Sequence, residues 1–235
     1  MMLRILRHKQ ERADQQERMA KLVSMRQPGK PSPNEQDWIN AARSLEWNGK
    51  RCPPENLFAV KAVESGGAGF NSQGRLILSW ETHVFARNSG HRYARSHPHL
   101  STRRWVDYRK LPPSEKPAHP MGMNQEGRWD LMLQAAALDF EAATSAGAFG
   151  MWQILGEGAR GMGYRDPLHM IEIMYQGYDG QFECFIRFCK WKGCLRPLIE
   201  GDWATFERIY NGGGHKGLYA RKLAVAQSSA RQTLA

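Results

Sequence analysis

Apolar positions recur with a helical period along most of the chain. In residues 34–47, Trp38, Ile39, Ala42 and Leu45 fall on one face, the spacing of an amphipathic helix. Ser32-Pro33-Asn34-Glu35 supplies an N-cap, a first-turn proline and a capping-box glutamate, so a helix is expected from there to about Trp47, where Asn48-Gly49-Lys50 ends it. Pro53-Pro54-Glu55 opens a second helix. Its Leu57, Phe58, Val60, Ala62 and Val63 leave no polar face, which predicts burial around the whole circumference. That helix ends at Glu64, ahead of Ser65-Gly66-Gly67. Residues 70–75 read as a turn and Leu76-Ile77-Leu78-Ser79-Trp80 as a short strand of a small hairpin. The hairpin would bring Glu81 and His83 beside the end of the Glu64 helix.

Residues 87–128 have no period. They hold His91, His97, His99, His119 and five prolines, and a stretch this long without regular structure marks a binding loop or lid. Helical order returns at Trp129, with Met132, Leu133, Ala136, Ala137 and Phe140 in register. Ser145-Ala146-Gly147-Ala148-Phe149-Gly150 reads as a small-residue loop that allows close backbone approach. Asp166-Pro167 caps a further helix, and Phe182, Phe185, Ile186 and Cys189 form the core stripe of another over 181–191. A capped helix over 202–210 stops at Asn211-Gly212-Gly213-Gly214, and a last one covers 219–227. The pattern predicts an α+β fold, predominantly α-helical, with seven to nine helices and one small hairpin. Residues 1–33 form a basic N-terminal arm and Pro-rich linker, and 34–235 form the folded domain.

Composition adds limits. The chain has 235 residues, 41% hydrophobic and 10% aromatic, with eight tryptophans, which excludes a disordered protein and allows one sizeable core. The net charge is +10. Half of that excess lies in residues 1–30, and a basic surface suits nucleic acid, anionic lipid or an anionic wall polymer alike. Cys52, Cys184, Cys189 and Cys194 lack a C-x-x-C spacing and read as buried free thiols, with a Cys189–Cys194 bridge left open. No run approaches the ~18 apolar residues of a membrane span. The basic start lacks the apolar core of a secretory signal. The expectation is a monomer made in the cytoplasm without a signal peptide, carried to its target by other machinery and not inserted in membrane.

Glu64 is the candidate for chemistry. A carboxylate in the last turn of a helix meets the negative end of the macrodipole, which raises its pKa, the direction a general acid needs. Residues 97–99, His-Pro-His, tempt a metal reading, but a proline between histidines in a basic loop is a poor scaffold for convergent ligands. No metal and no cofactor are expected.

Three separated pieces then line up: Val63-Glu64-Ser65-Gly66-Gly67, Gly147-Ala148-Phe149-Gly150-Met151-Trp152-Gln153-Ile154, and Ile209-Tyr210-Asn211-Gly212-Gly213-Gly214. In this order they resemble the lysozyme-like superfamily of goose-type lysozymes and soluble lytic transglycosylases. With Ile77-Leu78-Ser79-Trp80-Glu81-Thr82-His83-Val84-Phe85 they are most similar to the N-acetylmuramidase domain of phage endolysins and related antibacterial effectors. The resemblance spans about residues 38–227. It implies a lysozyme-like fold with a small β-hairpin beside the cleft, and a peptidoglycan hydrolase that cleaves the β-1,4 bond between N-acetylmuramic acid and N-acetylglucosamine. Glu64 is then the general acid and Glu81 the second carboxylate, with Asp139 and Glu141 as fallbacks. Ser65, Gln153, Tyr210, Trp152, His83 and Asn211 are carried over as substrate-contacting or positioning residues. The chain departs from the family at Ser79-Trp80 and at Trp152, both assigned to the cleft wall. The implied partner is the peptidoglycan glycan strand, with an immunity protein or delivery machinery as further partners. The alternatives are a lytic transglycosylase giving 1,6-anhydromuramyl products and a non-catalytic peptidoglycan-binding domain. A nucleic-acid binder is disfavoured, since the basic arm has no recognised binding fold.

Overall fold

The structure, a computed structural model, describes residues 2–27, 32–64, 68–212 and 216–234. The first element is α1 (Met2–Ser24). Its last turns lie on the body: Leu22 is buried, Arg18 pairs with Glu141 and Asp166, and Lys21 pairs with Glu172. Gln27 extends this contact through its backbone N–H to Gly74 O and its side chain to Tyr175 O, each at 2.8 Å.

Helix α2 (Glu35–Ser44) starts at Asn34 rather than Ser32. The Asn34 side chain accepts from Asp37 N–H while Asp37 accepts from Asn34 N–H, both at 2.9 Å. This reciprocal cap satisfies two donors at once and outcompetes the serine two residues earlier. The helix also ends before Trp47. Asn48 and Gly49 adopt φ of 50° and 76°, the left-handed pair of a tight hairpin turn, and they join β1 (Glu46–Trp47) to β2 (Lys50–Arg51).

Helix α3 (Pro54–Glu64) is not buried around its whole circumference as expected: Asn56, Leu57, Ala59 and Val60 are enclosed, Phe58 and Val63 are half-buried, and Ala62 is exposed. Buried Asn56 anchors it by donating to Leu198 O and Ile199 O at 2.8 and 3.2 Å. Those carbonyls belong to α9 (Leu195–Glu200). The C-terminal α11 (Leu218–Leu234) packs along α3.

Strand β3 (Leu78–Trp80) is present, but its partner is not local. The stretch expected to be a small-residue loop is β4 (Gly147–Phe149), which pairs with β3 on one side and with β5 (Ile154–Leu155) on the other. The small residues serve close packing: a Cβ on Gly147 would meet the Phe149 ring at 2.4 Å, and one on Gly150 would meet Gln181 at 2.6 Å. Gln181, fully buried, accepts from Met151 N–H at 2.8 Å and fixes the β4–β5 turn. The β3 segment is held from its other side by α5 (Gln125–Leu138), where Gln125 accepts from Leu78 N–H and Trp129 donates to Leu76 O.

The apolar period through Phe140 spans two helices. Asp139 ends α5 and caps α6 (Phe140–Ala146) by accepting from Ala142 N–H. Helix α4 (Thr82–Asn88) packs on α6. The expected Asp166-Pro167 and Asp202 caps are in place on α7 (Pro167–Met174) and α10 (Trp203–Tyr210). Between them lies α8 (Tyr178–Lys192), closed by Gly193 at φ 77°. Trp129, Trp152, Phe85, Phe149, Phe185 and Phe206 are the largest fully buried side chains and form one core. All four cysteines are buried and free. Among the described residues, no helix is long and apolar enough to cross a membrane.

Candidate active site

Burial and tertiary packing, rather than the sequence spacing alone, decide the state of Glu64. The carboxyl lies at the C-terminal end of α3, and desolvation there raises its pKa from 4.5 to about 7. The opposing influence is the Tyr219 hydroxyl on α11, which donates to Glu64 Oε1. Asn211 in turn hydrogen-bonds the Tyr219 side chain. Burial wins, so Glu64 keeps a proton at pH values where an ordinary glutamate has lost it.

Glu64 opens on a cleft of about 660 Å³, within the ~300–1,000 Å³ of typical ligand sites. Glu81, His83, Gln153, Tyr210 and Asn211 line the same cleft. Glu81 enters from the residue before α4, where its side chain makes no cap bond. Burial raises its pKa as well. His83 Nδ1 is 3.4 Å from Glu81 Oε2. Burial and Arg87 lower the His83 pKa, which favours the neutral imidazole, so the contact with Glu81 is one to an uncharged ring rather than an ion pair near neutral pH.

Gln153 sits at φ 48° in the β4–β5 turn and donates to Gly150 O at 2.8 Å. Tyr210 takes a different part from the one its motif suggests. Its hydroxyl donates to Trp152 O at 2.9 Å, and its ring stacks on Phe206 and, at 6.3 Å and 9°, on Tyr219. The tyrosine that reaches the acid is therefore Tyr219, which the sequence reading missed.

Trp152 is a correction. Its ring is 1% exposed and stacks on Phe185 at 4.0 Å, with Trp38 at its edge, so it fills the core and does not touch the cleft. Trp80 is mostly buried against Phe85 but lines a smaller pocket that adjoins the cleft and shares Ser79, Glu81, His83 and Trp105 with it, and Ser79 lines the cleft itself. The fallback carboxylates are engaged elsewhere. Asp139 caps α6 and pairs with Arg92, and Glu141 pairs with Arg18 and Arg160. Ser65 lies outside the described residues, as do Gly66 and Gly67. Residues 97–99 are not part of the cleft, and among the described residues no group of three or more His, Cys, Asp or Glu is placed to hold a metal. The cleft also takes Trp105 from the long 87–128 loop and Trp191 and Lys192 from α8. Only the length of that loop hinted at Trp105, and α8 had read as core.

A carboxyl group that holds its proton near neutrality, in a sugar-sized cleft shared with a second carboxylate, is the equipment for protonating a glycosidic oxygen. Fold and cleft together define the lysozyme-like class. The N-acetylmuramidase family model matches residues 53–231, and the chain belongs to that family of peptidoglycan-cleaving glycosidases. Among solved structures, the crystal structure of Burkholderia AP3 phage endolysin is similar, with a TM-score of 0.68 and 26% identity over 87% of this chain and 74% of that one. No curated protein sequence matches.

Proposed function

We propose that the protein hydrolyses the β-1,4 bond between N-acetylmuramic acid and N-acetylglucosamine, with Glu64 as general acid, and thereby lyses bacterial walls. The observation that carries this reading is the half-buried, largely desolvated Glu64 carboxyl at the wall of the cleft, its pKa raised to about 7. Tyr219 donates to Oε1 and holds the carboxyl in one orientation. The acidic proton is then carried on Oε2, the oxygen left to meet the leaving group. Glu81 supplies the second carboxylate, which draws a proton from water or stabilises the oxocarbenium-like transition state. His83 positions Glu81 from 3.4 Å. Gln153 and Asn211 contact the glycan, and Tyr210 braces Tyr219. Residues 34–235 are the catalytic unit, with α1 as a brace on its outside.

The test is Glu64→Gln on purified peptidoglycan. The variant should fold normally and release no soluble muropeptides, and near-normal release would sink the assignment. Mass spectrometry of wild-type products should find reducing ends. Products with 1,6-anhydro ends would replace hydrolysis by transglycosylation.

A further inference from the structure

Two residues on the last turn of α8, Trp191 and Lys192, line the cleft and have no part in the chemistry above. Trp191 is 44% exposed, unusual for an indole that is also tightly held. One side of the ring lies on glycines: a Cβ on Gly158 would come within 2.9 Å of Trp191 Cζ3, and one on Gly161 within 2.3 Å of Cε2. Phe188 meets it edge-on at 6.1 Å. Any side chain at residue 161 would push the indole out of place, so the glycines set its angle to the cleft. Lys192 Nζ sits 4.7 Å from the ring centroid. It is the one Lys or Arg among the described residues that line the cleft, and no described carboxylate lies within ion-pair distance of it.

A cation in the last helical turn suits the macrodipole wherever it points. The dipole does not explain why this cation lies over an aromatic platform inside a glycan-sized cleft. A fixed, half-exposed indole offers apolar surface to a pyranose ring once the Lys192 ammonium, which lies over the indole, moves off it to an anionic substituent on that sugar. In a peptidoglycan strand only the muramyl unit carries such a substituent. Its 3-O-lactyl group ends in a carboxylate, or in a peptide that bears carboxylates. N-acetylglucosamine has none.

Resting on the muramidase reading of the cleft, we infer that Trp191 and Lys192 form a muramyl-recognising subsite, in which Trp191 stacks the sugar and Lys192 selects its carboxylate-bearing arm.

The test measures binding by calorimetry in a Glu64→Gln background, so that no turnover intervenes. The probes are a tetrasaccharide of alternating N-acetylglucosamine and N-acetylmuramic acid with free lactyl carboxylates, and chitotetraose, which has no carboxylate. Adding Lys192→Gln should weaken the muramyl ligand about three- to fivefold, the scale of a half-exposed ion pair, and leave chitotetraose unchanged. Trp191→Ala should weaken both ligands. An equal effect of Lys192→Gln on the two ligands, or no effect on either, overturns the inference. A wild-type protein that cleaves no peptidoglycan would instead overturn the proposed function, and cleavage of the probes by the Glu64→Gln protein would overturn the role given to that residue.

Discussion

Replacing Tyr219 by Phe removes a single oxygen and leaves the ring that stacks on Tyr210. Two opposing effects set the state of Glu64: burial raises the pKa, and the Tyr219 hydroxyl lowers it by stabilising the carboxylate. A hydrogen bond to a charged group contributes about 1.5–3 kcal/mol, and each pKa unit corresponds to about 1.4 kcal/mol. Losing the bond should therefore raise the Glu64 pKa from about 7 by roughly one to two units. The acid works only when protonated, so the alkaline limb of kcat/KM reports this pKa in the free enzyme. In Tyr219→Phe that limb should move toward higher pH, and the variant should keep a larger share of its own maximum at pH 8 than the wild type keeps of its own. The maximum itself should fall about tenfold, because a carboxyl without its orienting donor reaches the leaving oxygen less often. The assay is the initial rate of release from dye-labelled peptidoglycan between pH 4.5 and 9.5 at constant ionic strength, with melting curves to check the fold. An alkaline limb that stays in place or moves down would refute the positioning role.

Three further outcomes follow from the same structure. Because the folded Glu64 has its pKa raised from 4.5 to about 7, the fold loses stability as pH rises between those values and recovers it below 4.5, a span of about 3 to 3.5 kcal/mol. Glu64→Gln should thus melt higher than the wild type at pH 8 and at the same temperature at pH 4, and equal melting at both would contradict the burial argument. Glu81→Gln should lower kcat on the order of a hundredfold and remove the acidic limb, since a base with a raised pKa is lost as pH falls through it; retention of both would assign Glu81 to structure alone. Leu22→Ala should cost about 2–4 kcal/mol in urea unfolding, because Leu22 is 1% exposed in the core. A cost near zero would mean that α1 is a free arm.

What the sequence reveals depends on the range of the interaction. The α3 helix and the Asp166 and Asp202 caps were legible, because each is decided within a few residues of itself. The partner of β3 was not. Its ladder runs from Leu78 to Phe149 across the chain, and the local turn at 70–75 forms only one isolated bridge, between Phe70 and Leu76. Trp152 was misplaced because the turn that carries Gln153 into the cleft sends the preceding ring the other way, onto Phe185.

Tyr219 shows the same limit at the site itself. Nothing near residue 219 marks it, since a tyrosine on one stripe of a terminal helix reads as core, and it is indeed 8% exposed. Its function comes from the packing of α11 along α3, which brings a hydroxyl to the carboxyl at the end of the other helix. Buried Asn56, which accepts from Gln227 while donating to the carbonyls of α9, fixes that packing at the far end. Asn56→Ala would take the side-chain donor from both carbonyls, leaving Leu198 O with the Gly201 N–H alone, and would take the acceptor from Gln227. It should therefore lower the melting temperature and, by loosening α11, shift the alkaline limb of activity in the same direction as Tyr219→Phe. A stability loss with an unmoved limb would separate the two roles of α11, and would place the control of Glu64 in the local contact with Tyr219 and Asn211 rather than in the helix pair.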